Sequence, residues 1–281
     1  MCYRSTVKAK RQGSLKVNHV QRRVRTGIGR ASGLALLALV CFGASAQSTP
    51  EIDDAAARIQ YAFYTDDVRA LQEVQDILAR LEVPPQAAAM KAYYQGFGGW
   101  KAAQLYEARA RSTSATEARA SAIEAAQGCS KDMQTAISHD ARFAEAHAIE
   151  ALCSGLPQSL RASNPRGAQN ACGKSKGLQT ALKLEPNNPR VLLVDYLCQS
   201  DDRTMSRFEK LERVVKAFQS AQPSPPGRPD WGEAEALALI GEEYLRMGNA
   251  VAARNALERA LVLAPDYLAA QKMLQTAASG R

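Results

Sequence analysis

The stretch that most constrains this chain runs from Leu237 to Pro265, LALIGEEYLRMGNAVAARNALERALVLAP. Leu237, Ile240, Gly241 and Tyr244 recur at helical spacing on one face, and Gly248-Asn249 interrupts the run. Ala253, Leu257 and Ala260 then share a second face, which Pro265 closes. Such spacing builds two short amphipathic helices with small residues where they cross. A hairpin of that size cannot bury its apolar face alone, so it needs neighbours of its own kind.

This unit resembles a tetratricopeptide repeat (TPR). Two other stretches carry parts of the same pattern. His139 to Ala146, HDARFAEA, is similar to the turn between repeats, with Ala141 where proline is usual. Ala181 to Pro186, ALKLEP, is similar to the motif that closes a repeat. The resemblance is close over 234–267, looser over 120–200 and weak before 120. It implies an all-α fold: a TPR-like α-α superhelix of about five helical hairpins with a C-terminal capping helix over 266–278. It also implies an interaction scaffold holding a protein or peptide in its concave groove, without catalysis or cofactor. Repeat scaffolds host many partners, so the resemblance names none.

The rest of the mature chain reads as helices of the same kind. Ala55, Ile59, Ala62 and Phe63 mark one, and Asp66 and Asp67 offer an N-cap to the next, whose apolar face is Val68, Leu71, Val74, Leu78 and Leu81. Pro84-Pro85 ends this degenerate pair. A long helix follows over 85–111. Its Gly96, Gly98 and Gly99 each weaken it by about 1 kcal/mol relative to alanine, which calls for close approach of a neighbouring helix. Ser112 to Ser114 caps a further helix through Met133 and Ile137. A helix over 144–155, a long loop from Ser154 to Gly167 and a helix over 168–184 come next. Pro189 opens another helix, and Asp201-Asp202 caps one with Phe208, Leu211, Val214, Val215 and Phe218 inward. PSPPGRP at 223–229 reads as a linker, and Asp230 with Glu233 as a capping box. The organisation is therefore a leader over 1–46, a degenerate pair over 47–84, divergent pairs over 85–229, and the best unit with its cap over 230–281.

The leader explains the charge. Of 36 basic residues nine stand in 1–46, which has no acidic residue, leaving 27 against all 28 acidic residues. The formal +8 thus belongs to the leader; the remainder carries −1 and gives no ground for nucleic-acid binding. A basic segment, the apolar run LALLALVCFGA and Ala44-Ser45-Ala46 form an export signal, too short to span a membrane. Cleavage after Ala46 would place the mature chain in the periplasm. Arg22-Arg23 and Cys41 leave twin-arginine export and a lipid anchor as alternatives, with secretion as another.

Cleavage leaves Cys129, Cys153, Cys172 and Cys198, an even number in an oxidising compartment. Cys129 and Cys153 are equidistant from residue 141, and Cys172 and Cys198 from residue 185, both inter-repeat turns. Residues equidistant from the turn of an antiparallel helix pair face each other, so the expected disulfides are Cys129–Cys153 and Cys172–Cys198. Cys153–Cys172 across the long loop is the rival, and four free thiols the alternative to both.

No catalytic or metal signature stands out. Gly173-Lys174-Ser175 lacks the upstream glycine and strand of a phosphate loop, and His139 and His147 are not at metal-pair spacing. Tyr93, Tyr94, Phe97, Trp100 and Tyr106 concentrate aromatic character between 93 and 106, as core or, with Lys91, Lys101 and Gln104, as a surface for a peptide, a small molecule, a glycan or a peptidoglycan fragment. An envelope enzyme is a further alternative. Some TPR proteins clamp a partner's C-terminal carboxylate with basic residues on the first helix of each repeat. Here the matching positions are Glu235, Ala238 and Glu242, and Glu145, Ala148 and Leu152. Together with Glu243 they imply an acidic groove suited to a basic or neutral partner.

Overall fold

The computed structural model describes residues 48–113, 116–161, 172–198, 205–224 and 227–279. The leader, Ser114, Asp201-Asp202 and the start of the helix expected from 168 lie outside them. Among the described residues there are eleven α-helices and no strand: α1 (Pro50–Tyr64), α2 (Val68–Arg80), α3 (Ala88–Thr113), α4 (Thr116–His139), α5 (Ala144–Arg161), α6 (Lys176–Leu184), α7 (Pro189–Leu197), α8 (Arg207–Ser220), α9 (Glu233–Arg246), α10 (Ala250–Leu263) and α11 (Leu268–Ser279). None is long and apolar enough to cross a membrane.

Side-chain caps start most of these helices. Asp67 accepts from the Ala70 N–H at 2.9 Å, Ser175 from Leu178 at 3.2 Å and Asn249 from Ala252 at 3.1 Å. Asn188 caps α7, whose first residue, Pro189, has no N–H to satisfy. Ser206 and Glu209 exchange backbone hydrogen bonds in a capping box at α8. At α9 the expected Asp230–Glu233 box is replaced by Gly232, at φ 105°, with Phe218 Cζ 2.9 Å from where a Cβ would lie. Only glycine fits that left-handed, crowded position. Helix α5 also departs from expectation, continuing through Gly155 and Pro157 to Arg161. Gly155 and Pro157 are buried, so packing outweighs the hydrogen bond that proline removes.

Successive helices pair as α1–α2, α3–α4, α5–α6, α7–α8 and α9–α10, with α11 against α10 and α9. Small residues set the crossings. A Cβ on Gly241 would stand 2.7 Å from Leu257 Cγ, and Ala253 and Ala260 are fully buried beneath α9. Gly96 and Gly99 do the same for α3 on α4, close to the Cys129 and Ala125 carbonyls. Cys129 on α4 and Cys153 on α5 have Cα atoms 6.0 Å apart, and Cys172 and Cys198 5.2 Å, with both sulfur pairs at disulfide distance. A bond within each pair would tie one hairpin to the next across an inter-repeat turn and stabilise by about 3 kcal/mol for loops of this length.

The superhelix also folds back on itself. Gln60 on α1 donates to the Asp230 carbonyl at 3.0 Å, and the Tyr64 hydroxyl donates to Glu235 on α9 at 2.9 Å. Tyr267, just before α11, packs on Tyr64 with ring centroids 4.7 Å apart and on Phe63 at 6.2 Å. The first hairpin thus meets the last.

Candidate functional site

Closure brings the aromatic run of α3 to the centre of the molecule. Tyr93, Phe97 and Trp100 recur at three- and four-residue spacing on α3 and are buried. Trp231, buried just before α9, lies with its ring centroid 5.1 Å from Phe97 and 5.3 Å from Trp100, and donates its indole N–H to the Tyr93 hydroxyl at 2.7 Å. Phe143 stacks on Tyr93 at 4.7 Å. Lys101 enters this cluster at 1% exposure, its ammonium 4.1 Å from the Phe63 ring centroid and 4.3 Å from that of Trp100. It donates to Glu235 at 2.9 Å. Burial pushes the ammonium below its ordinary range, and Glu235 opposes the shift. Cation–π attraction to the surrounding rings adds to that opposition.

These contacts correct the open groove expected from the repeat register. Tyr93, Tyr94 and Trp100 are buried in the core, so they present no open aromatic face to a glycan or peptide. Ala148 and Ala238 are buried, and Leu152 half-buried. Glu145 is buried and accepts from Asn188 at 2.8 Å and Arg190 at 3.3 Å. Glu235 is spent on Lys101 and Tyr64, and Glu243 on Arg207 and Arg246. Only Glu242 of the acidic set is exposed. Each buried carboxylate has met a cation or donor from another part of the chain, so no acidic groove remains. His147, half-buried, has its Nε2 3.0 Å from the Ala141 carbonyl in the turn before α5. No group of three or more metal-ligating side chains occurs among the described residues.

Among the described residues two clefts bear on function, and the second reaches the filled centre at Trp100. The larger, about 870 Å³, lies between α8, α9 and α10. Val215, Leu237, Ile240 and Ala256 give it an apolar wall, and Arg213, Lys216 and Arg259 stand exposed along its edges, with Glu212 as its one acid. Gln219 on α8, with its amide turned, accepts from Arg259 on α10 at 2.8 Å. The smaller cleft, about 280 Å³, opens where α3, α5, α7 and α8 approach, lined by Trp100, Gln104, Leu152, Leu156, Ser159 and Leu197 among others. Sequence reasoning named Trp100, Gln104 and Leu152 of the smaller cleft but not their convergence, and missed the larger cleft, because each is assembled from helices of different hairpins.

The tight α9–α10 crossing, repeated hairpins and terminal capping helix decide the architecture. It is that of a TPR-like helical repeat. No protein-family model matches the chain, and no curated protein does. Among solved structures it is similar to the crystal structure of a thermophilic TPR protein from Thermus thermophilus, at 15% identity and a TM-score of 0.42, covering 68% of this chain and 100% of that one. The TPR-like description rests on this chain's own helix pairs.

Proposed function

We propose that this chain is an exported, non-enzymatic scaffold that docks an acidic amphipathic helix of a partner protein in the cleft between α8, α9 and α10. The observation that carries the reading is the pairing of an apolar wall with a cationic edge. Val215, Leu237, Ile240 and Ala256 would take the apolar stripe of a helix. Arg213, Lys216 and Arg259 would face its acidic flanks, against the single carboxylate of Glu212. The partner's charge is opposite to what the acidic residues of α5 and α9 implied in sequence, because those residues are neutralised inside the fold. A TPR-like architecture suits such a role, since helix pairs present grooves along their length.

Export is supported by the signal-like leader and by two cysteine pairs at disulfide distance, which persist in oxidising compartments. The domain reading that goes with it is a cleaved 1–46, a first hairpin over 47–84, disulfide-tied hairpins over 85–229 and the terminal unit over 230–281. Amino-terminal sequencing of protein recovered from the periplasm should begin at Gln47; an intact leader on cytoplasmic protein would contradict export.

The docking reading is tested with two synthetic helical peptides of identical leucine stripe, one flanked by glutamates and the other by lysines. Fluorescence anisotropy should show saturable binding of the acidic peptide alone, weakened by salt. The Arg213→Glu/Lys216→Glu variant, changed only at exposed positions, should lose at least about tenfold in affinity, equivalent to roughly 1.4 kcal/mol. Equal binding of both peptides, or an unchanged affinity in the variant, would overturn it.

A further inference from the structure

The smaller cleft carries a separate inference, independent of the docking groove. Two residues of its lining, Trp100 and Gln104, each carry a buried side-chain atom with no hydrogen-bond partner: the indole Nε1 of Trp100, a donor, and the Oε1 of Gln104, an acceptor. Trp100 is 1% exposed. Buried polar groups are paired in nearly all folded proteins, so two orphans lining one cleft require an explanation. The protein's other tryptophan is the contrast: Trp231 gives its indole N–H to Tyr93. The same type of group is satisfied in one place and left open in the other.

Trp100 and Gln104 are four residues apart on α3, one helical turn, so their side chains are neighbours on the same face. One offers a hydrogen and the other a lone pair, side by side. The group that matches this arrangement is a secondary amide, whose carbonyl oxygen accepts from Trp100 and whose N–H donates to Gln104. Leu152, Leu156 and Leu197 supply apolar wall for the substituents on either side of the amide. The volume, about 280 Å³, stands at the small end of ligand pockets, which run to about 1,000 Å³, and suits a small molecule rather than a length of folded chain. Glu107 and Arg111 at the edge are already paired with each other at 3.5 Å, and Arg207 with Glu243, so the edge does not call for a charged ligand.

We propose that this cleft binds a small neutral ligand through a secondary amide held between Trp100 and Gln104. Two sources share that chemistry, a short peptide and an N-acetylated sugar, and they are separable by experiment.

The test uses the two indole N–H signals of the ¹⁵N-labelled protein, one per tryptophan. N-acetylalanine methylamide represents the peptide source and N-acetylglucosamine the sugar source, with glucose as the amide-free control. Saturable displacement of the Trp100 indole signal by either amide probe, larger than that of Trp231, supports the proposal, and the probe that acts identifies the source. Gln104→Leu should weaken that binding at least tenfold, while Gln104→Glu, which keeps an acceptor, should retain it. The proposal is overturned if neither amide displaces the Trp100 signal up to millimolar concentration, where water alone accounts for the cleft. It is equally overturned if glucose acts as well as N-acetylglucosamine, or if the Trp231 signal moves more than that of Trp100. These titrations read wild-type protein first, so they decide the matter whether or not the Gln104 variants fold.

Discussion

The α9–α10 hairpin and the α3 helix both use glycine against a neighbouring helix, yet they do different things in the fold. In the hairpin everything that sets the packing lies within one short stretch of chain: Gly241 rests on Leu257, with Ala253 and Ala260 beneath. In α3 Gly96 and Gly99 set one face against α4, and Gly98 meets Gln75 of α2 and Ile59 of α1. The other face carries Tyr93, Phe97, Trp100 and Lys101 to partners more than 130 residues away, Trp231 and Glu235. The first kind of packing makes a repeat; the second closes a row of repeats into one body. A scaffold that fills its own centre must present its partner surface elsewhere, here across α8, α9 and α10.

The largest expected effect breaks the closure. Trp231→Ala removes a buried ring from Phe97 and Trp100 and the hydrogen bond to Tyr93, and should lower unfolding free energy by about 3–5 kcal/mol in denaturant titration. Loss of under about 1 kcal/mol would mean that the two ends do not depend on each other. Next in size is the local crossing. Ala253→Phe forces a ring beneath α9 and should destabilise by about 1–3 kcal/mol; an unchanged melting temperature would show that the α9–α10 register is wrong.

A pH titration sharpens the same contrast. Tyr64, Tyr93, Tyr94 and Tyr267, all in the closure region, have hydroxyls pushed above the ordinary value of 10.0, mainly by burial. A group whose folded pKa is raised gives stability that is complete below the unfolded pKa and is lost as pH rises above it. Each such tyrosine should therefore remove about 1.4 kcal/mol per pH unit above pH 10. Lys101, shifted down, acts with the opposite sign, adding stability as pH climbs toward its ordinary 10.5, but it is one group against four. Alkaline unfolding with simultaneous tyrosinate absorbance is the expected result. Complete tyrosinate absorbance, from every tyrosine of the chain, near pH 10 in a still-folded protein would contradict the burial of these four rings.

The sequence carried the fold to the extent that the fold is local. Helix spacing, the cap at Asp67, the opening Pro189 and the small residues of 237–265 act on near neighbours, so they could be read in order along the chain. The cysteines at disulfide distance follow from distance to a turn, another local quantity. Gly232 was invisible because its role depends on Phe218 and Leu193 crowding it from other helices. Pro157 read as loop because its burial, which holds it in α5, is a tertiary property. The acidic positions misled most. Glu145, Glu235 and Glu243 sit where a partner would be met in an open superhelix, and nothing near them in sequence reveals Arg190, Lys101 or Arg207 as their counterparts. The two clefts share that property, each drawing its lining from three or four helices.

The central claim, that the superhelix is closed through its own buried ion pair, is tested most directly by a double-mutant cycle on Lys101 and Glu235, with stability measured by denaturant unfolding. Removing one member leaves a buried charge without its partner, so Lys101→Met and Glu235→Gln should each lose about 3–5 kcal/mol. The combined Lys101→Met/Glu235→Gln variant should lose much less than the two added together, a coupling of at least about 1 kcal/mol. Additive losses would show that α3 and α9 do not meet across the centre, and the open groove would stand again.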